Sequence, residues 1–355
     1  MQLSDFNYEL PPELVARHPA KQRDASRLMV LNRARQTIEH RHFRDLPELL
    51  RSGDLLVMND SRVIPARLFA RRAGGGRAEI LLVEAIEPSL WIAIVRPGKA
   101  LKPGVRVTLE GAGIELEIIE AREAGERVVR IHTDNIDDCL KHCGHVPLPP
   151  YILSARKEFE NAVDPAAEDG PDDRERYQTV YAHAPGSVAA PTAGLHFTDA
   201  LLEKLRAQGI AAAHCTLHVG PGTFMPIKTE RIEDHRMHNE RYSLSEETCR
   251  SIEQCRSDSG RIVCVGTTAV RTLESAALKN ERLRAIEQGQ TDLMIAPGFQ
   301  FRVTDALITN FHLPRSTLLM LVSAFAGREF IMRAYAEATR EEYRFYSYGD
   351  AMLIL

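Results

Sequence analysis

Between Arg67 and Thr133 the chain alternates six short runs of alternating or β-branched residues with tight breaks. The runs are RLFARR, AEILLVEAI, LWIAIVRP, RVTLE, IELEIIEA and RVVRIHT; the breaks are GGG, EPS, PGKALKPG, GAG and EAGE. Strands this short, joined by turns this tight, read as a small antiparallel six-stranded β-barrel, which leaves no unpaired edge. Both flanks follow another pattern: a strand ends in LLVMNDSRVIPA before this region, and PLPPY stops the chain after it. The fold expected is therefore mixed α/β: a larger domain built from both chain ends, 1–60 and 150–355, with the barrel inserted at 61–149. A length of 355 residues suits about two domains of roughly 150 residues. Residues Glu158 to Arg176, rich in Asp, Glu, Ala and Pro, are expected to form a mobile loop.

The larger domain repeats one step. IAAAHCTLHV, RIVCVG and DALITN are strand-like; TTAVRTLESAAL and RSTLLMLVSAF, which follow the last two, are helix-like. Thr198 before DALLEKLRAQG caps a further helix, with Asp199 at its positive end and Gly209 past its last turn. Short Gly, Thr, His and Asn breaks fall where strands end and helices start, the place where sheets covered by helices bind ligands.

Several function classes are disfavoured. No run of about 18 apolar residues exists and the N-terminus has neither a basic flank nor an apolar stretch, so a soluble cytoplasmic protein without membrane association is expected. Six cysteines without CxxC spacing suit reduced, structural thiols. Net charge is −4, yet Asp60 to Glu110 carries nine Lys/Arg against five acids, a local excess of four that either touches phosphates or is an ordinary solvated face. GAGIEL at 111 and GPGTFM at 220 both lack the third glycine of a dinucleotide fingerprint, and no phosphate-binding GxxxxGK[ST] occurs. His214 and His218 share a strand face about 13 Å apart, too far for one ion, and His235 with His238 lack nearby partners, so no metal is expected.

Nine blocks, NDSRVIPARL at 59, PLPPYI at 147, YQTVYA at 177, GSVAAPTAGLHFT at 186, TLHVGPGTF at 216, HRMHNE at 235, VGTTAVRTLES at 265, TNFHLPRSTLLMLVSAF at 309 and YRFYSYGDAM at 343, together resemble one family. It is that of the S-adenosylmethionine:tRNA ribosyltransferase-isomerases, the epoxyqueuosine-forming enzymes of queuosine biosynthesis. The resemblance runs the length of the chain and departs mildly at Ser61, Asn239 and Met294 to Ala296. It implies a monomer without prosthetic group that uses S-adenosylmethionine as co-substrate. The partner it implies is tRNA of the GUN anticodon type, carrying 7-aminomethyl-7-deazaguanine at the wobble position. The ribosyl part moves to that base, with adenine and methionine released.

Such chemistry needs a base near the carbon beside the sulfonium, a proton for departing adenine and fixed partners for sugar hydroxyls. His196 and His218 are the expected proton carriers, one of them alternatively a satisfied core imidazole. Asp60 either takes sugar hydroxyls or the methionine ammonium, or closes an Asx-turn or pairs with Arg62. Arg62 suits a carboxylate or a phosphate. Thr192, Thr223, Thr267 and Thr268 either cap helices or bind ligand. Arg271 and Glu274 reach a ligand or pair with each other. Asn310 and His312 suit base-edge recognition or proton donation, and His238 with Glu240 a dyad. Tyr343, Phe345, Tyr346 and Tyr348 beside Arg344 either stack on splayed bases or pack in the core, and Asp350 suits the substrate amine. Two other classes remain open: a tRNA-binding protein with a degenerate pocket, and a methyltransferase using the same co-substrate.

Overall fold

The computed structural model describes residues 1–160, 169–170, 172–224, 227, 229–279 and 282–355. They form two compact units, one of Met1–Ser61, Gln178–Ala184 and Ala190–Leu355, the other of Arg62–Tyr177 and Pro185–Ala189.

In the second unit the six expected strands all form. Arg67–Arg72, Arg77–Glu87, Leu90–Arg96, Glu126–Ile131, Glu115–Ala121 and Arg106–Leu109 pair in that order, all antiparallel. The sheet closes because Ala70, Arg71 and Arg72 of the first strand face Leu109, Thr108 and Val107 of the last. Alternate residues point inward, so Leu68, Ala70, Ile80, Leu82, Ala93, Val95, Leu116 and Ile118 make one buried core. Each large apolar side chain placed there contributes about 1.5–3 kcal/mol relative to exposure.

Of the chain from 150 to 177, the described residues cluster with this unit rather than with the large sheet. Only the two ends of the segment expected to be mobile are helical: residues 158–160 finish the helix Pro150–Glu160, and Asp173–Arg176 is a helical turn. The two are joined by a buried fork. Arg156 donates from Nη1 and Nη2 to the Asp173 carboxylate at 2.7 and 2.9 Å, and Gly170 N–H donates to it at 2.7 Å. Residues 161–168 and 171 of that segment lie outside the described residues.

The first unit is built on a nine-stranded sheet. Four parallel strands lie at its centre, in the order Ala211–Leu217, Leu55–Asn59, Ile262–Val265 and Ala306–Asn310. Leu55–Asn59, Ile262–Val265 and Ala306–Asn310 are buried at every residue, as expected of parallel strands covered on both faces. Antiparallel strands extend both sides: Glu240–Leu244 and Ile286–Thr291 beyond the first, Ala351–Ile354 beyond the last. Arg27–Asn32 and Thr37–His42 complete the sheet.

Three helices of this unit carry a side-chain cap among the described residues. Thr198 Oγ1 accepts from Leu201 N–H at 3.1 Å before helix Asp199–Ala207, Ser245 Oγ from Thr248 N–H at 3.1 Å before Glu246–Ser257, and Ser316 Oγ from Leu319 N–H at 3.2 Å before Thr317–Ala326. Among the described residues no helix is long and apolar enough to cross a membrane. All four parallel strands deliver their carboxyl ends to one edge of the sheet, and the polar breaks sit there.

Candidate active site

The edge is set up by a residue whose role sequence reading missed. The side chain of Asn59, wholly buried, acts as an extra peptide group: Nδ2 donates to Leu217 O at 3.0 Å, and Oδ1 accepts from Leu217 N–H at 3.0 Å and Ser61 N–H at 3.1 Å. The two central strands therefore stay joined to their last residue, and the next residues, Asp60 and His218, emerge side by side. Asp60 is fixed at backbone and side chain. Its N–H donates to Cys215 O at 3.0 Å, its carbonyl accepts from His183 N–H at 2.8 Å, and its Oδ1 accepts from Thr216 Oγ1 at 2.7 Å.

Around this pair lie polar atoms that are buried and lack a hydrogen-bond partner among the described residues: Tyr181 Oη, His218 Nδ1, Thr268 Oγ1 and Arg271 Nη2. Buried polar groups are rarely left unpaired without a functional reason. Burial and the Arg241 charge depress the His218 pKa, with Asp60 opposing, so the ring is neutral at pH 7. The Tyr181 hydroxyl is held up by burial, Cys215 and Asp60, and stays un-ionised. Tyr181 also explains Gly194, where an added Cβ would stand 2.1 Å from its hydroxyl oxygen.

Arg271 does not pair with Glu274. It donates from Nη1 to buried Glu240 and from Nε to Leu293 O at 3.1 Å. Glu240 in turn accepts the Gly220 N–H at 3.1 Å, so the strap after His218 is tied to the helix Thr267–Lys279. This engagement leaves no His238–Glu240 dyad. His238 instead packs its exposed ring on Gly222, where an added Cβ would come within 2.5 Å of it.

In the other half of the edge most of the expected groups are engaged, although Asn310 Oδ1 is buried without a hydrogen-bond partner among the described residues. His196, in the buried turn Thr192–His196, contacts Ser26 Oγ through Nδ1 at 2.7 Å and accepts from Asn310 Nδ2 at 3.1 Å. That Asn310 group also donates to the carbonyls of Tyr346 and Asp350 at 3.1 and 3.4 Å, which fixes the amide orientation and puts the imidazole proton on Nδ1. The His196 ring is stacked on Phe43, and burial, Arg344 and Arg23 push its pKa down to about 3. It is the satisfied core imidazole of the two. His312 is similarly buried, with Nε2 2.9 Å from Thr309 Oγ1 and its pKa lowered to about 3 by burial.

In this half two further expectations are overturned, and for the aromatics the core alternative holds. Asp350 accepts from Arg27 N–H at 2.9 Å and Arg344 N–H at 2.8 Å and is ion-paired with Arg27, so it latches the C-terminus rather than meeting an amine. Glu274, fully buried, accepts from the N–H groups of Arg302, Val303 and Thr304 at 2.8, 3.1 and 3.0 Å and from Thr304 Oγ1 at 2.8 Å, which consumes it as a loop anchor. Tyr343, Phe345, Tyr346 and Tyr348 are all buried, and Phe345 packs against Tyr8, Phe311 and Tyr335, so they are core rather than a stacking platform.

Of the four threonines, Thr267 and Thr268 are the first residues inside their helix, Thr192 opens a single turn and Thr223 lies within another. Arg62 is exposed and lies in the barrel unit. A cleft of about 200 Å³ is lined by Asp60, His214, Thr216, Ser243, Ser245 and Glu247 among others. Sequence reading weighed His214 only as a metal ligand. It placed His214 and His218 on one face but gave no role to Thr216 between them, which the same alternation puts on that face beside Asp60. Among the described residues no group of three or more His, Cys, Asp or Glu is placed to hold a metal.

Comparison with known proteins gives the family of the chain. The family model described as "Queuosine biosynthesis protein" matches residues 3–354. The S-adenosylmethionine:tRNA ribosyltransferase-isomerase of Thermotoga maritima is 51% identical over 355 residues, covering 100% of both chains, and that of Pelobacter propionicus is 51% identical over 356 with the same coverage. A crystal structure of an S-adenosylmethionine tRNA ribosyltransferase from Thermotoga maritima superposes with a TM-score of 0.54 at 41% identity, covering 99% of this chain and 100% of that one. The chain belongs to the queuosine biosynthesis family of S-adenosylmethionine:tRNA ribosyltransferase-isomerases.

Proposed function

We propose that this protein transfers and isomerises the ribosyl part of S-adenosylmethionine onto 7-aminomethyl-7-deazaguanine at the wobble position of tRNA with a GUN anticodon, in the cytoplasm. The observation that carries the assignment of the site is the group of unpartnered buried atoms, His218 Nδ1, Thr268 Oγ1 and Arg271 Nη2, at the carboxyl ends of three adjacent strands with Asp60 in the middle one.

Each has a task in this reaction. Arg271 Nη2 and the Thr268 hydroxyl, one turn apart at the start of a helix, suit the methionine carboxylate, where the helix dipole adds its attraction. Asp60 accepts from sugar hydroxyls. Neutral His218 takes the proton from the sugar carbon beside the sulfonium, which acidifies that carbon. The ring opens as adenine leaves with a proton, the aminomethyl nitrogen bonds to the sugar and loses a proton, and an epoxide closes as methionine departs. Tyr181, un-ionised, supplies a hydrogen bond in the same place.

Incubation with S-adenosylmethionine and tRNA carrying the aminomethyl base tests this by following free adenine and nucleoside mass. Adenine released with a nucleoside heavier by the ribosyl-derived unit is the expected result. S-adenosylhomocysteine would identify a methyltransferase instead, and tRNA binding without either product a non-catalytic protein.

A further inference from the structure

The excess of cations between Asp60 and Glu110 is not spread evenly over the barrel. Arg67 pairs with Glu79 at 2.7 Å, Arg71 and Arg77 share Glu110 at 3.0 and 3.1 Å, and Arg106 reaches Glu115 at 3.0 Å. Of the cations left over, Arg96, Lys99 and Lys102 sit on one connection, PGKALKPG and the residue before it. All three are exposed, and none has a carboxylate within ion-pair distance among the described residues.

That connection is built, not loose. Arg127 lies beneath it and donates to Leu101 O at 2.9 Å, Gly98 O at 3.2 Å and Glu126 O at 2.8 Å. Leu101 is wholly buried in the barrel core, and two tight turns, Ala100 N–H to Pro97 O and Val105 N–H to Lys102 O, both at 3.1 Å, shape the rest. An arginine spent on carbonyls and a leucine plugged into the core hold three unneutralised cations outward. Preordering of this kind lowers the entropy lost when a polyanion binds.

We propose that this loop is a phosphate-binding surface for the tRNA substrate, on which Arg96, Lys99 and Lys102 contact the RNA backbone without reading its sequence. The ribosyl-transfer reading enters only in naming the polyanion as tRNA. Phosphate contacts of this type give affinity that falls with salt, each contact adding about 0.7–0.9 to the slope of log affinity against log salt.

Binding of a fluorescent anticodon stem-loop RNA to the full chain, titrated at several salt concentrations, tests the surface directly, and steady-state adenine release tests it in turnover. Lys99→Ala/Lys102→Ala is expected to weaken RNA binding and raise the KM for tRNA about tenfold, to flatten the salt slope by about 2, and to leave the KM for S-adenosylmethionine unchanged. Arg106→Ala, whose guanidinium is already paired, is expected to change neither. An unaltered slope and RNA affinity in the double variant would overturn the proposal, as would an equal rise in both KM values or an equal effect of Arg106→Ala. RNA binding that depends on Lys99 and Lys102 in a protein that releases no adenine would retain this surface while refuting the ribosyl-transfer reading.

Discussion

The two halves of one sheet edge use the same residue types to opposite ends. Around Asn310, a histidine, an aspartate and a cluster of tyrosines are spent on the protein itself: His196 is engaged at both nitrogens and Asp350 holds two backbone N–H groups. Around Asp60, a histidine, a tyrosine, a threonine and an arginine each keep a buried atom without a partner. The Asn310 half is not wholly satisfied, since Asn310 Oδ1 is itself buried without a partner among the described residues, so the contrast rests on the histidines: both ring nitrogens of His196 are engaged, whereas His218 Nδ1 is not. The sharpest way to break the comparison is to replace the two histidines in turn. His218→Asn is expected to lower the rate of adenine release about a thousandfold, within the usual range for loss of a general base, with little change in unfolding midpoint. His196→Asn should do the reverse, lowering stability while the folded fraction keeps its turnover. Equal kinetic losses in both would dissolve the distinction.

Glu274 tests the Asn310 half more severely. It is the last residue of VGTTAVRTLE, about one turn beyond Arg271, but its carboxylate is fully buried and satisfied by four donors from 302–304. Removing a buried, fully bonded charge leaves those donors without a partner, so Glu274→Ala is expected to cost about 3 kcal/mol or more in chemical denaturation. The KM for S-adenosylmethionine of the remaining folded protein should not move. A rise in that KM with unchanged stability would return Glu274 to the ligand site.

Buried neutral histidines also predict acid sensitivity. His196 and His312, both held down to about 3, stay unprotonated in the native state while the unfolded chain binds a proton at each near its ordinary 6.5. Their stability contribution is therefore complete above about pH 6.5 and is lost as pH falls toward 3. Between pH 6 and 5, where most carboxylates are still ionised, the pair should remove about 2.4 kcal/mol. His214 and His218, also lowered, add in the same direction. Urea midpoints measured across this window should fall steeply, and His196→Gln should remove half of the pair's contribution. A flat profile would show that the imidazoles protonate in place.

Much of the fold was legible because its signals are local. The barrel strands announce themselves by period and turn residues, and the helix Asp199–Ala207 by its cap at Thr198; the caps at Ser245 and Ser316 are equally local, though the sequence reading makes no use of them. The edge carrying the site followed from where the strand-to-helix steps end. Individual roles did not follow, since they depend on partners distant in sequence. Nothing near Asp350 reveals that Arg27 will meet it, and nothing near Glu240 reveals Arg271 or Gly220. Arg156 and Asp173 show the same limit: nothing near Asp173 in the sequence reveals that a buried guanidinium will meet it.

The smallest effect discriminates most finely. Thr268 Oγ1 is buried at the start of its helix without a hydrogen-bond partner among the described residues, whereas Thr198 Oγ1 caps a helix by accepting Leu201 N–H. Exchanging a bonded hydroxyl for a methyl loses the bond, so Thr198→Val should destabilise the protein by about 1 kcal/mol with no kinetic change. Exchanging an unbonded one loses nothing within the free protein and removes a desolvated polar group, so Thr268→Val is expected to leave stability unchanged or slightly raised. In the complex, however, the methionine carboxylate would lose a hydrogen bond, raising the KM for S-adenosylmethionine about tenfold, or about 1.4 kcal/mol. Paired denaturation curves and KM measurements of the two valine variants set a capping threonine against a ligand threonine. A destabilised Thr268→Val with an unchanged KM would place Thr268 on the structural side of the edge.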